Sequence, residues 1–342
     1  MYISRKLKGW KYKVFIVLLL VVLLLFQYKL FEQSEEGKGI AIVVITNNTN
    51  VDEYRIALDT VKCYAKIQEY TFKLVKDTGP EYPCLQNDFL FRRHCITANL
   101  LSSFEAVMFL DADIGVVNPK RRIEEFMEDD VYVTLYDRYQ NWEVATGSYI
   151  VKNTQYARNF LNEFAQYESK LPTNSLHGSD NGAIHMFLAE KLLSPLIISS
   201  SKCESIYNNS KSFHDLFTFE ACIRNLLDSN LSKSDKVKIL KKGFGWVRDG
   251  WLTNNLWSHD VDFMLHGWKM SQLRKAPSWE FRPIPTSRNQ WFNPFLNDFD
   301  VKKCTWNYNP RLIRKEEEIK ESLLKMKEEV EVMKKKTLNA FN

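Results

Sequence analysis

No two of the six cysteines stand in a C-x-x-C pair, so the spacing that marks a zinc site is missing. No internal repeat is evident. Charge of one sign is scarce as well: the formal net charge of +5 is modest and, apart from Arg5, Lys6, Lys8, Lys11 and Lys13, spread along the chain. Nothing therefore argues for a nucleic-acid partner. After the amino-terminal apolar run, Gln27, Tyr28, Lys29, Leu30 and Phe31 offer no small-x-small sequence of the kind a cleaved signal peptide ends in. What is present is material for a core. The chain has 342 residues, 45% hydrophobic and 13% aromatic, enough for one large or two smaller domains and unlike a disordered or fibrous protein.

Val14 to Phe26 is unbroken apolar sequence. Extended from Tyr12 to Phe31, with Lys13 and Lys29 snorkelling, it gives the roughly 20 residues needed to span a bilayer. The reading is an uncleaved anchor over 14–31, with a cytoplasmic tail over 1–13 and a short polar stem over 32–38. Basic residues precede the span and Glu32, Glu35 and Glu36 follow it, which places the remainder in a lumen, a type II topology. Cys63, Cys84, Cys95, Cys203, Cys222 and Cys304 all follow the span and meet an oxidising compartment. Up to three disulfides are expected with open connectivity, unpaired buried thiols being the alternative. Sequons at Asn47, Asn208 and Asn230 suit a secretory lumen. Asn47, at a strand end, is expected to stay unmodified.

Ile40 to Thr46 reads as a buried strand, Asp52 to Gln68 as a helix and Thr71 to Val75 as a strand before a Gly79-Pro80 turn, together a β-α-β unit. A helix over Phe89 to Leu101 leads to a strand over Val107 to Leu110, Asn118-Pro119 is expected to open a helix through Phe126, and strands follow at Val131 to Tyr136 and Ser148 to Val151. The alternation predicts an α/β fold with a mostly parallel sheet covered on both faces. Helices are expected at Gln155 to Tyr167, Asp180 to Leu192 and Phe213 to Leu227. Trp246, Trp251, Trp257, Trp268, Trp279 and Trp291 crowd one stretch, where one or two could stack on sugar rings while the others pack. The folded domain covers 39–310, and 311–342 is a charged helical tail. Its apolar residues stand near heptad spacing, so a two-stranded coil and a homodimer are one reading. A solvated or docked helix is favoured, because the repeat is short and Glu316 interrupts it.

The most informative stretch is Val107-Met108-Phe109-Leu110-Asp111-Ala112-Asp113-Ile114. Alternate residues of a strand share a face, so Asp111 and Asp113 can converge on one ion where the strand runs out, and ligands of open α/β sheets bind at such carboxyl ends. Hard carboxylate oxygens suit Mg²⁺ or Mn²⁺ with open positions for substrate phosphates. The plain alternative is a pair of turn and cap residues.

With these features, the blocks Arg92-Arg93-His94-Cys95, Asp111 to Pro119, Asn141-Trp142-Glu143, Gly147-Ser148-Tyr149-Ile150, His177 to Ala183, Trp246 to Trp251 and His266-Gly267-Trp268-Lys269 carry a resemblance. The chain resembles a nematode family known mainly as a domain of unknown function, of GT-A-fold nucleotide-diphospho-sugar transferases. More distantly it is similar to fungal and plant galactosyl- and mannosyltransferases and to glycogenin-like enzymes. The resemblance implies Asp111 at the donor ribose or indirectly at the metal, Asp113 on the metal and His266 as third metal ligand. It implies Lys269 on the diphosphate, although the related pattern H-x-x-G-x-x-K is compressed here. Arg92 or Arg93 would meet the donor phosphate, with the choice between them open, and Gly147 would let backbone approach the sugar. Asp180 is the catalytic candidate, near donor sugar and acceptor, or else a helix cap; Arg248 and Asp249 are further candidates.

The cofactor expected is Mn²⁺ or Mg²⁺ with a UDP-hexose donor, GDP-mannose second, and a glycan or glycoprotein acceptor. The related families point to retention, with Asp180 as base if the course is inverting. A Golgi location follows by analogy. Two rivals stand beside this reading. A haloacid-dehalogenase-type phosphatase wants Thr or Val where Gly115 stands, and wants its motif near the domain start. A silent luminal protein of the same fold would bind glycans or partners without turnover.

Overall fold

The computed structural model describes residues 39–47, 50–78, 81–230, 236–275 and 289–341. The expected cytoplasmic tail, anchor and stem, the Gly79-Pro80 turn and Trp279 lie outside the described residues. Among those described, no helix is long and apolar enough to cross a membrane.

The strands are β1 (Ile40–Thr46), β2 (Thr71–Lys76), β3 (Ala106–Leu110), β4 (Ile114–Val116), β5 (Val133–Tyr136), β6 (Ser148–Lys152), β7 (Val237–Leu240), β8 (Val247–Asp249) and β9 (Met264–His266). One sheet has the order β2-β1-β3-β6-β5-β7. Pairing is parallel except on the two sides of β6, which runs antiparallel to both β3 and β5. The expected mostly parallel sheet is thus a mixed one with a single reversed strand.

The apolar runs of β1 and β3 are continuous because both faces of the sheet are covered. Alternate residues separate into two cores. Ala41, Val43, Ile45, Val107 and Phe109 face helices Phe89–Leu101, Gln155–Gln166, Ser179–Leu192 and Phe213–Asn230. Ile42, Val44, Met108 and Leu110 face helix Arg55–Ile67 and the small sheet described below. Phe91, Phe109, Phe160 and Phe164 are fully buried, and each contributes about 1.5–3 kcal/mol by leaving water. Asp88 caps helix Phe89–Leu101 by accepting from the Leu90 N–H at 2.8 Å, and its other oxygen accepts from Ser179 Oγ at 2.7 Å. The starts of the two helices that carry Arg93 and Asp180 are thereby tied together.

The helix expected after Asn118-Pro119 is absent; only a 3-10 turn at Ile123–Phe126 forms. Val117 and Asn118 N–H both donate to Phe263 O, and the Asn118 side chain donates to His259 O at 2.7 Å. The segment is held as an edge of the small sheet. Helix Glu316–Phe341 is docked, burying Ile319 and Leu323 beside Leu252 and Val330 beside Trp142 and Ala221. Ile319, Leu323 and Val330 of its apolar stripe are covered by the domain, while Met333 stays half exposed.

All six cysteines are paired, Cys63 with Cys304, Cys84 with Cys95 and Cys203 with Cys222. Trp246, Trp257, Trp268 and Trp291 are fully buried packing residues. A Cβ at Gly115 would fall 2.0 Å from the Trp268 ring, so this position needs glycine for close approach.

Candidate active site

β3 ends at Leu110, and the chain then turns tightly: Asp111 N–H donates to Gly147 O at 2.7 Å and Ile114 N–H to Asp111 O at 3.1 Å. The small sheet, ordered β4-β9-β8, sets Ile114 opposite His266 and His266 opposite Asp249. Register sets His266 beside Asp249, and the Gly267 and Trp268 N–H groups, donating to Asp113 O at 3.0 and 2.9 Å, draw Asp113 to the same place; a one-residue slip would turn His266 and Asp249 to the other face.

One ligand atom from each of Asp111, Asp113 and His266 lies within 4.8 Å of the others. Two carboxylates suit Mg²⁺ or Mn²⁺, and the imidazole nitrogen tilts the set toward the transition metal. The donor set fits the expected cofactor. Behind it, Asp249 Oδ1 stands 2.7 Å from His266 Nδ1, orienting the ring so that Nε2 lies 3.3 Å from Asp113 Oδ1. Arg138 holds Asp249 at 3.0 Å and reaches Glu143 at 3.6 Å.

Electrostatics separate the two acids. Burial raises Asp111, Asp113 repels it, and Arg93 offsets only part, so its pKa stays above the carboxylate value. Burial also works against Asp113, but His266 and Lys269 pull it down to about 2. For His266, burial opposes charge, yet Asp113 and Asp249 overcome it and push the imidazole up to about 10. A proton on His266 thus occupies the place a cation would take.

Arg93 is buried between acids, one amino group on Asp111 and the other 2.5 Å from Asp180 Oδ2. Asp180 Oδ2 is also 3.3 Å from His94 Nε2, while His94 Nδ1 meets the Tyr149 hydroxyl at 3.0 Å. Burial lowers His94 to about 4, so the ring is neutral and bonds as a dipole. Burial would raise Asp180, but Arg93 and His94 hold it near 2.

The expected residues divide. Asp111, Asp113, His266, Lys269, Arg93, Gly147 and Asp249 line one cleft of about 360 Å³ at the carboxyl ends of β1 and β3, which Asn47 also borders. Lys269 Nζ lies 3.5 Å from Asp113 Oδ2, and its side chain is 40% exposed. Asp180, by contrast, is 0% exposed and sits behind Arg93, set back from the cleft wall. Arg92 turns away to Asp77 at 2.9 Å and to the carbonyls of Gln86 and Asn87, so Arg93 is the base that reaches the cleft. The space beside Gly147 holds the Asp111 carboxylate, 2.2 Å from where a Cβ would stand. Arg248, although at the cleft wall, clamps Asp262 at 2.5 and 2.9 Å. Arg138 and Glu143 escaped the sequence reading as site residues. Arg138 follows the end of β5, a position where open sheets place ligand contacts, and Glu143 lay within a block already singled out.

A second cavity of about 360 Å³ adjoins the first and shares Asp113, Arg138, Asn181, Asp249, His266 and Lys269 with it.

A model of the family described as "Protein of unknown function, DUF273" matches residues 61–283. No curated protein matches the chain. Among solved structures, it is similar to a glycosyltransferase involved in the glycosylation of the major capsid of PBCV-1, at 20% identity and a TM-score of 0.33, over 40% of this chain and 70% of that one. It is also similar to the catalytic domain of Drosophila β1,4-galactosyltransferase 7 in complex with xylobiose, at 9% identity and a TM-score of 0.26, over 37% of this chain and 52% of that one. A mutant of the Drosophila enzyme, in complex with manganese, UDP-Gal and xylobiose, matches at 10% identity and a TM-score of 0.26, over 34% of this chain and 49% of that one.

Proposed function

The chain belongs to the DUF273 family, whose description assigns no activity, and we propose from its site that it is a metal-dependent glycosyltransferase. It moves a hexose from a nucleoside-diphosphate sugar to a glycan or glycoprotein. The observation that carries this reading is the Asp111–Asp113–His266 cluster, on the floor of a cleft at the end of β3, with Arg93 and Lys269 beside it. Asp111, Asp113 and His266 would hold Mn²⁺, or Mg²⁺ second; bound there, the ion would supply positive charge against the departing diphosphate.

The chain's own residues supply the rest. Lys269 adds a cation at the diphosphate and Arg93 fixes the Asp111 carboxylate. Asp249 keeps His266 in the orientation that presents Nε2. The acceptor oxygen bonds to the anomeric carbon as the bond from that carbon to the diphosphate oxygen breaks. The electron pair stays with the diphosphate, and the hydroxyl proton passes to one of its oxygens. Retention is the course favoured, on the resemblance to retaining families. A UDP-hexose is the first choice of donor and GDP-mannose the second, on resemblance. The apolar run at 14–31 and three disulfides support a type II protein facing a secretory lumen, with the Golgi favoured by analogy alone. With the tail helix docked, a homodimer is not part of the proposal.

The test is titration of the purified chain with a panel of nucleotide sugars, with and without Mn²⁺, beside Asp113→Ala. Metal-dependent binding and turnover of one donor, lost in the variant, is the expected result. Binding without turnover across an acceptor library would identify a silent module, and absence of nucleotide binding would sink the metal-site reading.

A further inference from the structure

The second cavity has no assigned ligand, and its chemistry differs from that of the first. Besides the shared residues it is lined by Trp251, Phe213 and Phe217 and by the amides Gln140, Asn141 and Asn289. Aromatic faces beside amides suit a saccharide, whose C–H faces stack on rings while its hydroxyls bond amide groups. Gln140 lines the cavity, and its Oε1 is covered by neighbouring atoms without a hydrogen-bond partner among the described residues, so a rotation of this side chain would present an unpaired acceptor to a hydroxyl donor. Of the cations on the walls, Lys269 serves the donor diphosphate, and Arg138 already pairs with Glu143 and Asp249, within 3.6 Å. An anionic saccharide would find no free cation there.

We propose that this cavity is the acceptor subsite and takes an uncharged saccharide, seated against Trp251 and Phe217 with a hydroxyl donated to Gln140 Oε1. The shared wall of Asp113, His266 and Lys269 places that saccharide next to the donor diphosphate. The inference rests on the transferase reading.

Its test uses the purified chain with UDP, with diamagnetic Mg²⁺ for the NMR and Mn²⁺ for the transfer assay. Saturation-transfer NMR measures binding of methyl hexosides and methyl pentosides, with methyl glucuronide as the charged member, and labelled-donor transfer gives the acceptor KM. Neutral glycosides should bind. Gln140→Leu should weaken them about tenfold, the effect of one lost hydrogen bond, while the Kd values for UDP and Mn²⁺ stay unchanged. Trp251→Phe should keep binding and Trp251→Ala should weaken it, with melting temperatures confirming that each variant is folded. Unchanged acceptor affinity in both Gln140→Leu and Trp251→Ala would overturn the proposal, as would preference for the glucuronide or parallel weakening of UDP. If the parent chain binds no UDP, the transferase reading fails by itself. The NMR signal and its response to Gln140→Leu then still decide whether the cavity holds a saccharide.

Discussion

His266 links proton and metal, and its pH behaviour is the sharpest test at the residue scale. Without metal it keeps its proton up to about pH 10, so an incoming Mn²⁺ must displace that proton. Apparent Mn²⁺ affinity should then rise roughly tenfold per pH unit between about pH 6 and 9, by linkage of one proton to one ion. A flat profile from calorimetric titration would remove His266 from the ligand set. The metal-free protein should show the opposite slope. The stability that charged His266 draws from Asp113 and Asp249 is complete below its ordinary pKa of 6.5 and is lost as pH rises through about 10. Gly147→Ala should leave a folded protein whose Mn²⁺ affinity falls about 10- to 100-fold, because the new Cβ displaces Asp111. Asp180→Ala should lower stability to urea by about 3–5 kcal/mol, by leaving Arg93 buried with one partner fewer; a change under about 1 kcal/mol would show that Asp180 does not anchor Arg93. Asp111 and Asp113 were legible in the sequence because an apolar strand ending in alternate acids is a local pattern. The choice of Arg93 over Arg92 was not, since adjacent helical residues point about 100° apart and only the packed sheet decides which one faces inward.

At the scale of elements, the long helices and the strands of the main sheet other than β7 were legible, and β7 and the small sheet were not. Strands of three residues such as β4, β8 and β9 show no usable period, and their pairing joins positions as far apart as Ile114 and His266. That invisible sheet is what brings His266 to Asp113. The tail helix was legible as a helix with an apolar stripe, but its partner was not. The partner is the wall of the second cavity: Ile319, Leu323 and Met326 pack with Trp251 and Leu252, and Val330 and Met326 pack with Phe217. Leu323, 3% exposed, therefore offers a test. Leu323→Asp puts a charge into that seam, and the expected outcome is a raised acceptor KM with donor and Mn²⁺ affinities retained. Equal loss of donor and acceptor binding would mean that the helix supports the whole fold rather than one wall.

For the whole molecule, the cysteines were legible as a set and not as pairs, since six thiols allow 15 connectivities and the fold alone selects one. The selection has mechanical consequences. Cys84–Cys95 closes 11 residues, whereas Cys63–Cys304 closes 241 and ties helix Arg55–Ile67 to a segment beyond the DUF273 match. In the chain-entropy account the longer loop restricts the unfolded chain more, so the two bridges should differ by about 2–3 kcal/mol. The Cys63–Cys304 bridge also sits beside a core containing Val117, Leu265 and Trp268, the residues that back β4 and β9 behind the metal ligands. Replacing both members by alanine in each pair makes the comparison, with urea unfolding as readout. Cys63→Ala with Cys304→Ala should cost about 5–6 kcal/mol, and Cys84→Ala with Cys95→Ala about 3 kcal/mol. If the short bridge proves the more stabilising, loop closure does not govern this fold, and native packing around Cys84 and Cys95 would have to supply the difference.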